Sequence, residues 1–188
     1  MLERPDAEFR RIWGHGTLVI LPPADVAAVV DELRRRHDPS SAAIIGAHIT
    51  LTQPFLSAPA ADDLARVEEI VATTEPFTMR WGPLSTFLPY PCIHFEIHPA
   101  EPVHRLRGAL HALGFFNTVL PYSGDDFIPH MTIAEGSADA DETRRLYDDL
   151  RDAVPSGTFP CTAVTYCAPD ADFRFQPRAT FPLGDAPA

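Results

Sequence analysis

Lysine is absent from this chain of 188 residues, and all fifteen of its basic residues are arginine. Schiff-base chemistry and phosphate binding by a P-loop both need a lysine amine, so the sequence excludes both of them. Basic residues are also outnumbered, since 26 acidic residues give a formal net charge of −11. This charge argues against broad electrostatic binding to duplex DNA, and it does not exclude a small anionic substrate held by a few local groups.

Cysteines and long apolar runs are scarce as well. The chain has three cysteines, Cys92, Cys161 and Cys167, without a C-x-x-C pair, which argues against a disulfide framework and a zinc ribbon. No segment approaches the roughly 18 apolar residues of a membrane span, and the N-terminus lacks the apolar stretch of a signal peptide. We therefore expect a cytoplasmic monomer with reduced cysteines and no membrane partner.

Short apolar segments of two different periods alternate along the chain, and this alternation predicts an α+β fold. Each half has the order strand, helix, strand, helix and strand pair. The alternating segments predict strands over Gly16–Leu21, Ala47–Thr52, Phe77–Trp81, Leu84–Leu88, Cys92–His98, His130–Glu135, Phe159–Ala168 and Phe173–Phe181. Apolar residues at helical spacing predict helices over Ala24–His37, Ala61–Thr73, Val103–Leu113 and Asp141–Leu150, and Gly82-Pro83 predicts a hairpin turn.

The two halves resemble each other at one fixed offset, which indicates an internal duplication. An offset of 82 residues maps four landmarks of the first half onto four of the second: His48 onto His130, Thr50 onto Thr132, Leu64 onto Leu146 and Phe77 onto Phe159. We predict one domain over residues 1–188, with related halves at approximately 15–90 and 91–182.

Two short segments carry the residues of chemical interest, and we call them the first motif (residues 48–51, HITL) and the second motif (residues 130–133, HMTI). Successive side chains of a strand point to opposite faces, so the histidine and threonine of each motif share one face. The apolar residues between them share the other face, which would pack on the helices. The duplication would bring the two histidine-threonine faces together.

Two histidines and two threonines around one point suit displacement at phosphorus. Imidazole titrates near neutrality, so one ring can remove a proton from the nucleophile while the other protonates the leaving oxygen. Threonine hydroxyls donate hydrogen bonds to phosphate oxygens. This scheme needs no metal and no cofactor.

At these motifs the sequence resembles the 2H phosphoesterase superfamily, which includes the 2′-5′ RNA ligase-like proteins and has paired H-x-[ST]-x motifs. Residues 34–55 (RRRHDPSSAAIIGAHITLTQPF) are similar to a bacterial branch of it, and residues 127–136 (FIPHMTIAEG) to its second motif. The resemblance implies a bilobal α+β fold in which two antiparallel sheets face a central cleft, with the helices outside. It also implies metal-independent cleavage of cyclic phosphates or 2′-5′ linkages. By matching position, His48 and His130 are the catalytic pair and Thr50 and Thr132 bind phosphate; which histidine is the base stays open.

Four further residues are candidate substrate contacts. Phe55 and Phe127 flank the motifs and could stack on a base, although closure of the hydrophobic core explains them equally well. His94 faces the predicted cleft, and Arg80 could meet a second phosphate. His94, Glu96 and His98 share a strand face, but the strand rise separates His94 from His98 by roughly 13 Å, too far for one metal ion without distortion.

The expected function is therefore a phosphodiesterase for a small nucleotide or cyclic phosphate, with short RNA as a further substrate class. Three alternatives remain at this stage. A binding module could keep the cleft and hold a nucleotide without turnover. RNA ligation is the reverse reaction, and the missing basic surface argues against it. A metal-dependent hydrolase would use the strand of His94, Glu96 and His98.

Overall fold

The computed structural model describes residues 6–118, 127–135 and 139–184. Its helices are α1 (Ala7–Trp13), α2 (Ala24–His37), α3 (Pro39–Ala42), α4 (Ala61–Ala72), α5 (Ala100–His111) and α6 (Ala140–Leu150). Its strands are β1 (Thr17–Ile20), β2 (Ile49–Thr50), β3 (Phe77–Thr86), β4 (Cys92–His98), β5 (His130–Glu135), β6 (Gly157–Cys161), β7 (Ala163–Pro169) and β8 (Phe175–Pro182).

The strands form two four-stranded antiparallel sheets, as the predicted α+β fold requires. The first sheet has the order β2-β1-β7-β8 and the second the order β5-β4-β3-β6. The motif strands β2 and β5 therefore occupy corresponding edges of the two sheets. β2 also contacts β5, so the two edges meet.

Each sheet takes strands from both halves of the chain. β3, from the first half, pairs with β4 and β6, whereas β7 and β8, from the second half, pair with β1 and with each other. The prediction of one strand over Phe159–Ala168 is wrong, because the chain changes sheets at Thr162 and forms β6 on one side of it and β7 on the other. The limits of the two related halves stay a prediction.

The prediction of a hairpin at Gly82-Pro83 is also wrong. One strand, β3, runs through this dipeptide, and its pairing with β4 shifts register between Trp81 and Leu84. Gly82 has a φ of 92°, and a Cβ at this position would lie 2.6 Å from the Cβ of Ser156. A bulge that only glycine fits therefore replaces the turn, and pairing on both sides keeps the strand continuous.

The helices agree more closely with the sequence patterns. α2 has the predicted limits, and α4, α5 and α6 differ from theirs by at most three residues. α1 and α3 were not predicted because both are short, and side chains cap their first turns: Asp6 accepts from the Phe9 amide at 2.7 Å and Asp38 from the Ser41 amide at 3.1 Å. No helix of the described ranges is both long enough and apolar enough to cross a membrane.

Candidate active site

The alternation predicted for the two motifs is present in the structure. His48, Thr50, His130 and Thr132 are all half-buried, whereas the intervening residues Ile49, Leu51, Met131 and Ile133 are 0% exposed. The buried side chains belong to the hydrophobic core and hold each motif from behind. Because β2 and β5 meet, the histidine-threonine faces of both motifs lie at one place in the molecule.

Both catalytic candidates are anchored in the same way. His48 Nδ1 lies 2.8 Å from the carbonyl oxygen of Gly46, and His130 Nδ1 lies 2.7 Å from that of Ile128. A carbonyl oxygen only accepts, so each Nδ1 carries the proton and donates it to the chain two residues earlier. Nε2 of each ring is therefore the nitrogen left for proton transfer to or from a substrate.

The charges around the two rings differ. Burial, followed by the positive charges of Arg34 and His130, lowers the pKa of His48 to about 4. Burial also lowers the pKa of His130, but the charge that acts on it is that of Glu135, which opposes the shift. Burial therefore favours neutral rings, and the local charges favour a proton on His130 more than on His48.

Glu135 reaches the site because β5 contains a bulge. Cys92 pairs with Glu135 but His94 pairs with Thr132, so the alternation of β5 changes sides between these residues. The bulge puts Glu135 on the face that carries His130 and Thr132, where strict alternation would have placed it on the opposite one. The Tyr90 hydroxyl donates to the Glu135 carboxylate at 2.5 Å.

His94 lies beneath the site and does not open into it. The Phe87 ring stacks on it with centroids 3.9 Å apart, and the His130 ring meets it edge-on at 5.3 Å. His94 is 2% exposed, and burial lowers its pKa to about 3. The prediction that His94 contacts substrate is therefore corrected: Phe87 and His94 together support the ring of His130.

Neither phenylalanine proposed for base stacking is open. Phe55 is 2% exposed and packs against Phe116 and Tyr166, with centroids 4.6 and 5.4 Å away. Phe127 is 8% exposed, and the Arg107 guanidinium lies 4.1 Å from its ring centroid. Closure of the core is therefore the correct explanation for both rings.

Arg80 is exposed, and its guanidinium donates to the Gly82 carbonyl at 2.9 Å. It pairs with His98 on the neighbouring strand, two strands away from β5. Strand spacing puts its backbone roughly 12 Å from that of His130, so a contact with a second phosphate stays a prediction.

The strand of His94, Glu96 and His98 does not present its side chains to one point. His98 Nε2 lies 3.1 Å from the Glu96 carboxylate, whereas His94 Nδ1 lies 4.0 Å from the sulfur of Cys92. In the part of the chain that the structure describes, no group of three or more His, Cys, Asp or Glu side chains is arranged to hold a metal ion.

Two buried arginines, Arg34 and Arg107, bind the motif strands by their backbones, and the sequence analysis did not predict this role. The three arginines at the end of α2 suggested dipole stabilisation, which suits the exposed Arg35 and Arg36. A usable signal was present in α5, where Arg107 interrupts the buried stripe formed by Val103, Leu106 and Leu110.

The chain matches the family described as the 2′-5′ RNA ligase superfamily over residues 22–172. The chain belongs to this superfamily. A Bacillus anthracis (strain CDC 684) protein named "Putative phosphoesterase" is 31% identical over 127 residues, covering 66% of this chain and 71% of that protein. The resemblance to the 2H phosphoesterases is thus confirmed, and family and fold support an activity of the phosphodiesterase type.

Solved structures of similar proteins confirm the fold of this superfamily member. The crystal structure of E. coli LigT complexed with 3′-AMP has a TM-score of 0.59 and 18% identity, covering 90% of this chain and 97% of LigT. The crystal structure of TT0787 from Thermus thermophilus has a TM-score of 0.56 and 18% identity, covering 89% of this chain and 97% of TT0787. At these identities the likeness shows a shared fold.

Proposed function

We propose that this superfamily member is a metal-independent phosphodiesterase that cleaves a small cyclic phosphate or a 2′-5′-linked nucleotide. One observation carries the proposal: two half-exposed histidine-threonine faces meet at the edges of two sheets, and both rings are anchored through Nδ1. The two Nε2 atoms supply a proton acceptor and a proton donor for in-line displacement.

His48 is the proposed general base, because Arg34 and burial both favour its neutral form. Its Nε2 takes a proton from the attacking water, whose oxygen forms the new bond to phosphorus. The bond from phosphorus to the leaving oxygen then breaks, and Nε2 of His130 gives that oxygen its proton. A bound phosphodiester anion adds negative charge beside His130, so substrate itself promotes the protonated ring together with Glu135.

Thr50 and Thr132 are the proposed phosphate ligands. Each lies two residues after its histidine and is half-buried on the same face. A hydroxyl donates one hydrogen bond, so the pair contacts two non-bridging oxygens and turns the phosphorus toward the two rings.

The proposed substrate is small because the surface of the protein is acidic. A net charge of −11 disfavours long RNA, which needs many basic contacts. E. coli LigT has been crystallised with 3′-AMP, NADP+ and ATP, which supports a substrate of nucleotide size for this fold. Tyr90 and Ile128, 38% and 55% exposed beside the second motif, are the proposed contacts for a base.

Turnover in the presence of EDTA tests the proposal. Purified protein is incubated with 2′,3′-cyclic nucleotides, 2′-5′ dinucleotides and ADP-ribose cyclic phosphate, and products are separated by chromatography. We expect His48→Ala and His130→Ala to lower kcat by about 10²–10⁴-fold. His104→Ala, at an exposed position on α5, is the matched control. Absence of turnover on every substrate, or full activity in both variants, contradicts the proposal.

A nucleotide-binding module without turnover is the second candidate. The observation that favours it is the lowered pKa of both histidines, since two neutral rings hold an anion without supplying a proton. Cyclic nucleotide binding in a calorimeter with no product, retained in both alanine variants, is the result expected for this candidate.

A further inference from the structure

The two motif strands are edge strands, and side chains bind their outer backbone groups. β2 and β5 each stand at the end of a sheet, so within the described ranges one row of their carbonyls and amides has no neighbouring strand. Arg34 of α2 donates to the Thr132 carbonyl at 2.7 Å, and Arg107 of α5 donates to the Leu51 carbonyl at 2.6 Å. Each helix therefore holds the motif that lies in the other half of the chain.

Each arginine also contacts the segment that leads into the other motif. Arg34 donates to the Ile45 carbonyl at 3.0 Å, three residues before His48, and Arg107 lies 4.1 Å above the ring of Phe127, three residues before His130. The two side chains are only 2% and 6% exposed. Each guanidinium thus touches one motif and the segment that leads into the other.

Asp31 of α2 and Asp38, which directly follows this helix, complete these contacts. The Ala47 amide donates to Asp31 at 2.6 Å, and the Glu135 amide donates to Asp38 at 3.0 Å. Asp31 and Arg34 are three residues apart, which puts them on one face of the helix. Burial lowers the pKa of Arg34, but Asp38, Asp31 and Glu135 oppose that shift, so the guanidinium keeps its charge.

We propose that Arg34 and Arg107 are positioning residues that set the distance and orientation between the two histidine-threonine motifs. A planar guanidinium donates in two directions at once, which a lysine ammonium on a flexible stem cannot reproduce. The catalytic meaning of this role rests on the function proposed above. A displacement of about 1 Å between a base and an acid is enough to slow a reaction by about 10²-fold.

Arg34 has a second effect that follows from its place between the motifs. The charged and titratable groups that act on His48 are Arg34 from α2 and His130 and Glu135 from β5. Of these groups, Arg34 has the largest effect on the pKa of His48, and its positive charge favours the neutral ring that a general base requires. Its removal takes away the largest charge that lowers the pKa of His48, so this pKa rises.

Two substitutions at Arg34 separate geometry from charge. Arg34→Lys keeps the positive charge and loses the guanidinium that donates in two directions. We expect kcat to fall at least about tenfold and KM to stay within about threefold of the wild-type value, with the pKa of His48 unchanged. Arg34→Met removes the charge as well, so we expect the same loss and a rise of the His48 titration by about one pH unit. Arg35→Met, at an exposed position on α2, is the matched control and changes neither quantity.

The measurements are steady-state kinetics on a 2′,3′-cyclic nucleotide and NMR titration of the histidine Cε1 protons. Wild-type kcat in Arg34→Lys, or an unmoved His48 titration in Arg34→Met, overturns the inference. If a thermal unfolding scan shows that Arg34→Met does not fold, the kcat values of Arg34→Lys and Arg107→Lys test the inference instead. If the wild-type protein turns over nothing, the proposed function fails, and the NMR titrations still decide whether Arg34 controls His48.

Discussion

At the scale of single residues, the two histidines share an anchor and differ in the charges around them. Both donate from Nδ1 to a carbonyl two residues earlier, which fixes the ring and leaves Nε2 for chemistry. Glu135 acts on both rings, whereas the positive charge of Arg34 acts on His48. On the proposed function, residues outside two motifs of nearly identical sequence thereby give these motifs different roles.

The pH dependence of kcat/KM follows from these charges. The base must be neutral and the acid protonated, so activity rises as pH increases through the His48 pKa of about 4 and falls as pH increases through the lowered pKa of His130. We expect a bell-shaped profile with its optimum below about pH 6.5, the ordinary pKa of histidine. Initial rates at low substrate concentration, from acid to mildly alkaline pH, give the profile. An optimum on the alkaline side of neutrality or a single limb contradicts it.

A substitution at Glu135 tests the alkaline limb of that profile. Its negative charge favours the protonated form of His130, so Glu135→Gln moves the alkaline limb to lower pH. We expect activity at neutral pH to fall about threefold to tenfold and to recover as the pH is lowered. Glu68→Gln, which removes a carboxylate at an exposed position on α4, is the control. An alkaline limb that stays in place speaks against a role for Glu135.

At the scale of elements, the sequence predicted best where the pattern is local. Helical spacing alone predicts α2, and strict alternation predicts β5 and the residues on its polar face. β2 contains only Ile49–Thr50 rather than the predicted Ala47–Thr52, because β1 pairs with these two residues alone. Asp31 accepts from the Ala47 amide before the strand, and Arg107 donates to the Leu51 carbonyl after it. These side chains belong to helices that are distant in sequence, so no local sequence pattern predicts their contacts.

The site shows the same division. His48, Thr50, His130 and Thr132 could be predicted from alternation and spacing. Glu135 could not, because its face depends on a bulge against β4, and Phe87 could not, because its stacking on His94 follows from the pairing of β3 with β4. The prediction that Phe55 and Phe127 stack on a base is wrong because both rings pack in the core. An aromatic residue beside a motif has the same sequence pattern whether its side chain is exposed or buried.

Asp38 joins three elements, and its removal tests how they depend on each other. It is 1% exposed, caps α3 through the Ser41 amide and accepts from the Glu135 amide of β5. We expect Asp38→Ala to lower the free energy of unfolding by about 2–4 kcal/mol in urea titrations, because a cap and a buried hydrogen bond are lost together. Asp139→Ala removes only the exposed cap of α6 and should cost about 1 kcal/mol. Equal losses contradict this reading of Asp38.

At the scale of the whole molecule, buried histidines make stability depend on pH. Burial lowers the pKa of His94 to about 3 and of His111 to about 4, from an ordinary value of 6.5, so the unfolded chain binds more protons than the folded one at acid pH. The free energy of unfolding therefore falls as pH decreases from about 6.5 toward about 4, by up to about 1.4 kcal/mol per pH unit for each such histidine. We expect His94→Phe to reduce this slope and His104→Gln, on the surface of α5, to leave it unchanged. Urea titrations at several pH values measure the slopes, and equal slopes in all three proteins contradict the account.

The charge of the whole molecule also limits the substrate. The net charge of −11 and the absence of lysine leave the protein without a broad surface for a polyanion. The arginines that matter most for the site, Arg34 and Arg107, are buried and bind backbone carbonyls. On the proposed function, phosphate is therefore held by neutral and titratable side chains, an arrangement that suits a mononucleotide or a short oligonucleotide.

The most direct test of the central claim, that His48 and His130 act as base and acid, compares two leaving groups. A nucleoside phosphodiester of 4-nitrophenol releases an anion that needs no proton, whereas the corresponding alkyl ester releases an alkoxide that does. We predict that the kcat of His130→Ala falls about 10²-fold or more on the alkyl ester and less than about tenfold on the nitrophenyl ester. The kcat of His48→Ala is expected to fall by a similar factor on both esters. Equal losses of His130→Ala on the two esters would contradict the assignment.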